Sequence, residues 1–315
     1  MPAHAVSVRE PLQGLTVFER GWLSSNNLLI HPVAGQPGAV LIDASHVNHA
    51  AQTVALVRQA LGDVPLARVL NTHLHSDHCG GNASLQRAFG ADVAIPPGLA
   101  SAVRAWDDEA LSYVATGQRM ERFAPQAQIE PGQVLQAGGR DWEVLAAPGH
   151  DPHSVMLFDR RHGVLVSADA LWERGFGVVF PEIEGEPGFD DVAAVLEHIA
   201  SLPVRVVVPG HGRPFADVGA ALQNAFARIR SFQADPARHA RHAVKVLVKY
   251  HLMEEREQTL PALLDWAEAT PLLVGVWERY PPSGVTSARL WVQALVAELV
   301  AGGALACDGQ TVRDV

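Results

Sequence analysis

The stretch 71-NTHLHSDHCGGN-82 decides how this 315-residue chain folds. Within six residues it places His73, His75, Asp77 and His78, and two glycines turn the chain directly afterwards. The run ARVL leads into it and reads as a strand, part of a segment expected over 67–72. Extended backbone alternates its side chains, so His73 and His75 share one side. Asp77 and His78 break that period as the chain turns toward a helix expected near 82–89. The two pairs therefore face different points, as two metal ions require.

Three later runs end the same way: EVLAAPGH at His150, GVLVSAD at Asp169 and RVVVPGH at His211. Side by side in one sheet, these strand ends would bring all seven groups to one edge, where loops present functional side chains on a rigid scaffold. Five imidazoles and two carboxylates suit Zn²⁺, Fe²⁺ or Mn²⁺ better than Ca²⁺ or Mg²⁺. His73, His75 and His150 are expected around one ion, and Asp77, His78 and His211 around the other, with Asp169 bridging. Two divalent ions, zinc first, would lie about 3.5–4 Å apart and bring the pKa of a shared water toward about 7. Asp77 and Asp169 are accordingly expected to be catalytic as well as metal-bound.

The HxHxDH pattern at 73–78, with His150, Asp169 and His211 following at long intervals, resembles the metallo-β-lactamase superfamily over about residues 10–230. That resemblance implies an α/β fold, a four-layer αβ/βα sandwich, with a dinuclear site at one edge. It also implies that Asp43 in VLIDAS supports the motif loop. Secreted β-lactamases of the superfamily lack the bridging aspartate, so Asp169 argues against that branch. Glyoxalase II enzymes share all seven ligands but usually carry a GCGR-like segment, where this chain has 175-GFGVVFPEIEG-185 with Val178 in the arginine's place. Acyl-homoserine lactonases place a tyrosine shortly after the bridging aspartate, and here Trp172 stands there.

Organisation along the chain agrees with such a sandwich. Strands are expected at 27–32, 39–44, 92–97 and 204–210, hairpins over 133–149 and 154–169, and helices over 49–62 and 190–200. A composition shift near 231–242 divides the chain into a catalytic domain, 1–232, and a small, mostly helical, winged-helix-like domain, 233–315. In the latter, Thr286 or Ser287 caps a helix with the apolar stripe Ala288, Trp291, Leu295 and Leu299, and a hairpin turns at Asp308-Gly309.

The formal charge of −10 argues against broad binding to a phosphate backbone. Residues 236–315 carry eight Lys/Arg and nine Asp/Glu. Their stripe Arg238, Arg241, Lys245 and Lys249 reads as a solvated helix face. No leader is expected from the opening residues, no run approaches the roughly 20 apolar residues of a membrane span, and two cysteines, Cys79 and Cys307, are not expected to make a disulfide framework. A cytoplasmic location follows as the expectation, with Cys79 a small buried side chain. Trp172, Phe176 and Trp106 are expected to wall an apolar substrate group, and His153 to touch the substrate or a ligand. The segment 98–125 is expected to close over the site.

These features predict a metal-dependent hydrolase of an ester, thioester or lactone of a small, partly apolar molecule, able to work as a homodimer. The competing readings are a ribonuclease or other phosphodiesterase, a mononuclear iron persulfide dioxygenase using His73, His150 and Asp169, and a non-catalytic DNA-binding regulator. Iron content with oxygen uptake separates the second alternative, and steep salt dependence the first.

Overall fold

Alternation of apolar side chains sorts eleven strands into two sheets with a common interior. The computed structural model describes residues 9–315, so the expectation that the opening residues carry no leader falls largely outside the described residues. Six strands form the first sheet in sequence order: β1 (Leu15–Phe18), β2 (Asn27–Ile30), β3 (Ala39–Ile42), β4 (Leu66–Leu70), β5 (Asp92–Ile95) and β6 (Ala127–Gln128). Pairing is antiparallel from β1 to β3 and parallel from β3 to β6. The second sheet comprises β7 (Val134–Ala137), β8 (Arg140–Ala146), β9 (Val155–Asp159), β10 (Val164–Ala168) and β11 (Val206–Pro209), in the order β11-β10-β9-β8-β7. Only its β10–β11 pair is parallel.

Leu28, Ile30, Ile42 and Leu70 of the first sheet meet Trp142, Val144, Leu157 and Val166 of the second. The residues between them point the other way. Leu29, Leu41 and Val69 pack on Val57 and Leu61 of helix Ala50–Leu61 and on Leu85 of helix Asn82–Phe89. Met156, Phe158 and Leu165 pack on Leu196 and Ile199 of helix Phe189–Ser201 and on Ile229 of helix Val218–Ala234. Helix, sheet, sheet and helix thus stack in four layers, strands β2, β3, β9, β10 and β11 burying both faces as period two demands.

One expectation is corrected. The four ligand-bearing strands do not lie side by side: β4 sits between β3 and β5 in the first sheet, and β8, β10 and β11 belong to the second. Helical crossovers 50–61 and 82–89 tie β4 to parallel neighbours, so it cannot also pair with the hairpin strands. The ligand ends instead meet across one end of the sandwich.

Asp235 ends the sandwich's last helix and caps the next, accepting from the Arg238 amide at 3.3 Å, with Pro236 at the first helical position. Helices Pro236–Glu255, Leu260–Ala269, Pro271–Arg279 and Ala288–Ala301 follow, with a sheet of β12 (Glu257–Thr259), β13 (Leu305–Cys307) and β14 (Thr311–Asp314) in the order β12-β14-β13. Ser287 caps the last helix, accepting from the Leu290 amide. Of the expected stripe, Trp291 and Leu295 are buried together with Val292 and Val296, and Ala288 and Leu299 lie at the margin. This C-terminal core also takes in Val178 and Ile183, which follow Asp169 in the chain.

The basic stripe is not an open face. Arg241 and Lys245 both pair with Glu298, Lys249 pairs with Asp314 and donates to the Ala304 carbonyl, and Arg238 donates to Ser231. Segment 98–125 is packed down rather than free: Leu111, Tyr113 and Phe123 are buried, and the Tyr113 hydroxyl donates to Leu74 O at 2.8 Å. Among the described residues no helix is long and apolar enough to cross a membrane.

Two histidines on helix Pro236–Glu255 make the fold acid-sensitive. Burial, then the neighbouring His242, pushes His239 down to about 3; burial, then Arg228 and Lys245, pushes His242 down to about 4. Neutral His239 accepts from the Val179 amide at 3.1 Å, a bond its protonated form cannot make. Folded values below the ordinary 6.5 mean that the unfolded chain binds protons first. This stability is therefore whole above 6.5 and is lost as pH falls from there toward the folded values. Urea unfolding at a series of pH values should show stability dropping below about pH 6.5, with a gentler slope in His239→Gln; equal slopes would remove His239 from this account.

Candidate metal centre

The turn after β4 is held from beneath. Asp43, at the end of β3, accepts from the Thr72 amide at 2.8 Å and from the Thr72 hydroxyl at 2.9 Å. Its Oδ2 also accepts from His78 Nδ1 at 2.8 Å, which turns the other nitrogen of that ring, Nε2, toward the cluster. Asp43 adopts φ of +59°, and Ala168, just before Asp169, adopts +46°. Such left-handed non-glycine residues cost roughly 1–3 kcal/mol each and persist where surrounding structure overdetermines them. His150 is fixed in the same manner, with Nδ1 2.5 Å from the Val178 carbonyl it donates to and Nε2 2.8 Å from His75 Nδ1.

All seven residues singled out in the sequence come together. They form two groups, His73–His75–His150 and Asp77–His78–Asp169–His211, in each of which one atom per residue lies within 4.8 Å of every other. Asp169 reaches both: its Oδ2 is 3.3 Å from His150 Nε2, and its Oδ1 is 3.5 Å from His78 Nε2. His211 Nε2 lies 2.9 Å from Asp77 Oδ2. Space for this is made at Gly210, where a Cβ would stand 2.1 Å from Asp169 Oδ1 and 3.0 Å from His78 Cε1.

The donor set fits divalent ions. Among the described residues, Nε2 of His73 and of His78 are buried without a hydrogen-bond partner, a cost of about 1–3 kcal/mol each that a cation held there in place of a proton would relieve. Burial, with His78, His75 and His150 beside it, holds His73 well below the ordinary imidazole range, and burial with His150 lowers His75 to about 4. Both rings are thus neutral near pH 7, the state a ligand needs. Burial opposes the charge on Asp77, yet His78 and His211 hold it down to about 2. In Asp169, too, His78 and His211 outweigh burial, and it is lowered well below the carboxylate range. Burial likewise opposes the charge on His78, but Asp43, Asp169 and Asp77 raise it. Five nitrogens and two carboxylates match borderline cations.

A cavity of about 740 Å³ opens onto both groups. Trp172 lines it and donates from Nε1 to Asp169 Oδ1 at 3.2 Å. Phe176 touches it but is mostly core, edge-on to Phe232. His153 does not line it: this exposed ring borders a smaller cavity of about 200 Å³ with Asp151 and Glu184, which shares only His75, Gln118 and Phe180 with the large one. Trp106 packs on Tyr113 and Phe123, away from the cavity, because its segment folds onto the first sheet's outer core. Cys79 is fully buried, and burial pushes its thiol up.

Sequence reasoning missed three side chains. Trp22, 57% exposed, stacks on His211 with ring centroids 5.4 Å apart and meets Trp172 edge-on at 5.5 Å. Phe180 covers His75 at 4.7 Å, and the Tyr250 hydroxyl lies 2.9 Å from Ser76 Oγ. A run of aromatics marked the neighbourhood of Phe180; nothing local marks Trp22 or Tyr250, which arrive from the first loop and from the C-terminal lobe.

A profile of the metallo-beta-lactamase superfamily matches residues 20–211, and the chain belongs to that superfamily, as a hydrolase. Among curated relatives, it is 32% identical over 213 residues to a hydroxyacylglutathione hydrolase of Xanthomonas campestris pv. campestris, covering 66% of this chain and 71% of the relative. It is 27% identical over 221 residues to the acyl-coenzyme A thioesterase MBLAC2 of Gallus gallus, covering 63% and 77%. A solved metallo-beta-lactamase family protein of Thermus thermophilus shares the fold with a TM-score of 0.56 at 21% identity, covering 96% of this chain and 99% of that one.

Because Gly210 leaves no room for a methyl group, Gly210→Ala should displace Asp169. Elemental analysis of the purified variant should find at least one ion per chain fewer than in the parent, with an unchanged circular dichroism spectrum. Full metal content in the variant would contradict the packing argument.

Proposed function

We propose that this chain is a dinuclear metal-dependent thioesterase, hydrolysing the thioester of a small molecule with a partly apolar acyl group. One observation carries the reading: two ligand groups shared by a single carboxylate open into one cavity with a largely apolar wall. Thioesters are favoured over other esters and lactones because both relatives named above act on thioesters. His73, His75 and His150 would hold one ion, and Asp77, His78 and His211 the other, with Asp169 between them. Zinc is the metal proposed, with iron or manganese able to take the same donors. When bound, such ions supply an electrophile for the carbonyl oxygen and a water acidified toward about pH 7.

The chain's own groups arrange the rest. Phe180, Val178, Leu247 and Met253 line the cavity and would receive the acyl group while excluding bulk water. Trp172, by its bond to Oδ1, fixes the rotation of the Asp169 carboxylate. Asp77, kept ionised by His78 and His211, is available as an acceptor throughout the neutral range. Residues 233–315 form a separate unit on this reading, its helix Pro236–Glu255 walling the cavity through Leu247 and Tyr250. A winged-helix character for this unit, a homodimer and a cytoplasmic location remain parts of the proposal, and nucleic acid is not the substrate.

Asp169→Ala should lower kcat/KM for a thioester by at least about a thousandfold, as expected when a shared ligand of a two-metal site is removed. Circular dichroism should show the fold retained. Turnover within tenfold of the parent would end the bridged-site reading. Oxygen uptake with a persulfide, absent hydrolysis, would replace it with the iron dioxygenase.

A further inference from the structure

The cavity wall holds a cation with no partner among the described residues. Arg228, on helix Val218–Ala234, lines the cavity half-buried, and among the described residues its guanidinium has no hydrogen bond or ion pair. Burial lowers its pKa, the mark of a charge held from water without compensation. Every other basic side chain of the neighbouring stripe is committed, Lys245 to Glu298 and Lys249 to Asp314. The contrast is physical: withdrawing an unpaired charge from water is costly, so an unpaired arginine beside a cavity is held ready for an incoming anion.

Two neighbours shape the position. At Gly175 a Cβ would stand 2.5 Å from Arg228 Nη1, and that residue's φ of +134° suits glycine alone, so the guanidinium lies flat against backbone. His242 lies within the fields of both Arg228 and Lys245, stacks on Phe232 with centroids 6.0 Å apart, lines the cavity, and makes no hydrogen bond among the described residues. An uncommitted guanidinium, an uncommitted imidazole and an ammonium whose one partner is a partly exposed glutamate thus share one wall.

We propose that Arg228, with His242 and Lys245, forms a subsite for a phosphate group on the thiol half of the substrate. The thioester would then lie in the cavity with its acyl carbon at the metal-capable groups and its phosphate at Arg228, His242 and Lys245. Phosphate rather than carboxylate fits because a dianion matches two permanent cations and a protonatable ring, whereas a carboxylate would satisfy Arg228 alone. Arginine recognises phosphate bidentately, and His242 can become a second donor once a dianion offsets the fields that now keep it neutral. The substrate class is therefore an acyl thioester of a phosphorylated thiol, the chemistry of coenzyme A. This inference rests on the thioesterase reading and narrows it.

The test uses the full-length, metal-loaded enzyme and one acyl group on three thiols: coenzyme A, unphosphorylated pantetheine, and the carboxylate-bearing tripeptide glutathione. In the parent, kcat/KM should favour coenzyme A over pantetheine. In Arg228→Gln that ratio should fall about ten- to hundredfold, the range expected for a charged hydrogen-bonded pair, and Arg228→Lys should recover part of it. A ratio unchanged by Arg228→Gln overturns the subsite, and so does a fall seen only with the glutathione thioester, which would assign the wall to carboxylates. Independently of turnover, pyrophosphate should shift the His242 ring resonances of the parent but not of Arg228→Gln. No shift at saturating pyrophosphate overturns the proposal, as does tighter competition by a single-stranded oligoribonucleotide than by coenzyme A. Failure of the parent on all three thioesters would defeat the thioesterase reading alone, because phosphate binding is read separately.

Discussion

Asp169 holds the molecule's two halves of chemistry to one point, and much of the surrounding architecture keeps its carboxylate there. One oxygen faces His150 and the other His78. The left-handed Ala168 aims it, Trp172 fixes its rotation, and the missing side chain of Gly210 clears its path. A carboxylate buried to this degree is tolerable only with opposing charge nearby, and His78, His211 and His150 supply it. The imidazoles around Asp169 therefore stabilise this end of the fold as well as forming a candidate metal site.

Second partners decide which ring atom each histidine offers. Asp43 takes the proton side of His78, and the Val178 carbonyl takes that of His150. Val178 then joins the C-terminal core, and the next amide, that of Val179, donates to His239. A short path of adjacent residues thus connects a candidate ligand to the C-terminal helices. That path explains why the lobe is more than a cover. Its packing and the orientation of His150 are mechanically the same segment, and the acid sensitivity of His239 bears on both.

The cavity is asymmetric in a way its lining makes plain. Trp22, Trp172 and Phe180 stand beside the metal-capable groups, and Arg228, His242, Lys245 and Lys249 reach the cavity from helices Val218–Ala234 and Pro236–Glu255, interleaved with Leu247 and Met253. In a chain of net charge −10, that local cluster of basic side chains departs from the overall balance. An elongated substrate with one apolar and one anionic end is the shape of molecule such a cavity distinguishes.

Read alone, the sequence did not determine β1, β6, β12 or the helices at 100–105, 218–234 and 260–279, but it determined the strands that carry the site and their hairpins, the helices after β3 and β4 and at 190–200, the last helix, the C-terminal hairpin and all seven metal-capable residues. Each of these is written in short-range terms: period-two apolar runs, a Ser287 cap, glycine and proline stops, and strand ends finishing in histidine or aspartate. Only the tertiary structure decided that β4 stands in a different sheet from β8, β10 and β11, because pairing partners are chosen by crossover geometry and not by the runs themselves. It alone brought Trp22 onto His211, sent His153 and Trp106 away from the large cavity, and bound Arg241 and Lys245 to Glu298 while leaving Arg228 uncommitted. Charge partners and cavity walls depend on contacts between residues far apart in the chain, and local pattern carries no record of where a side chain's distant neighbour will lie.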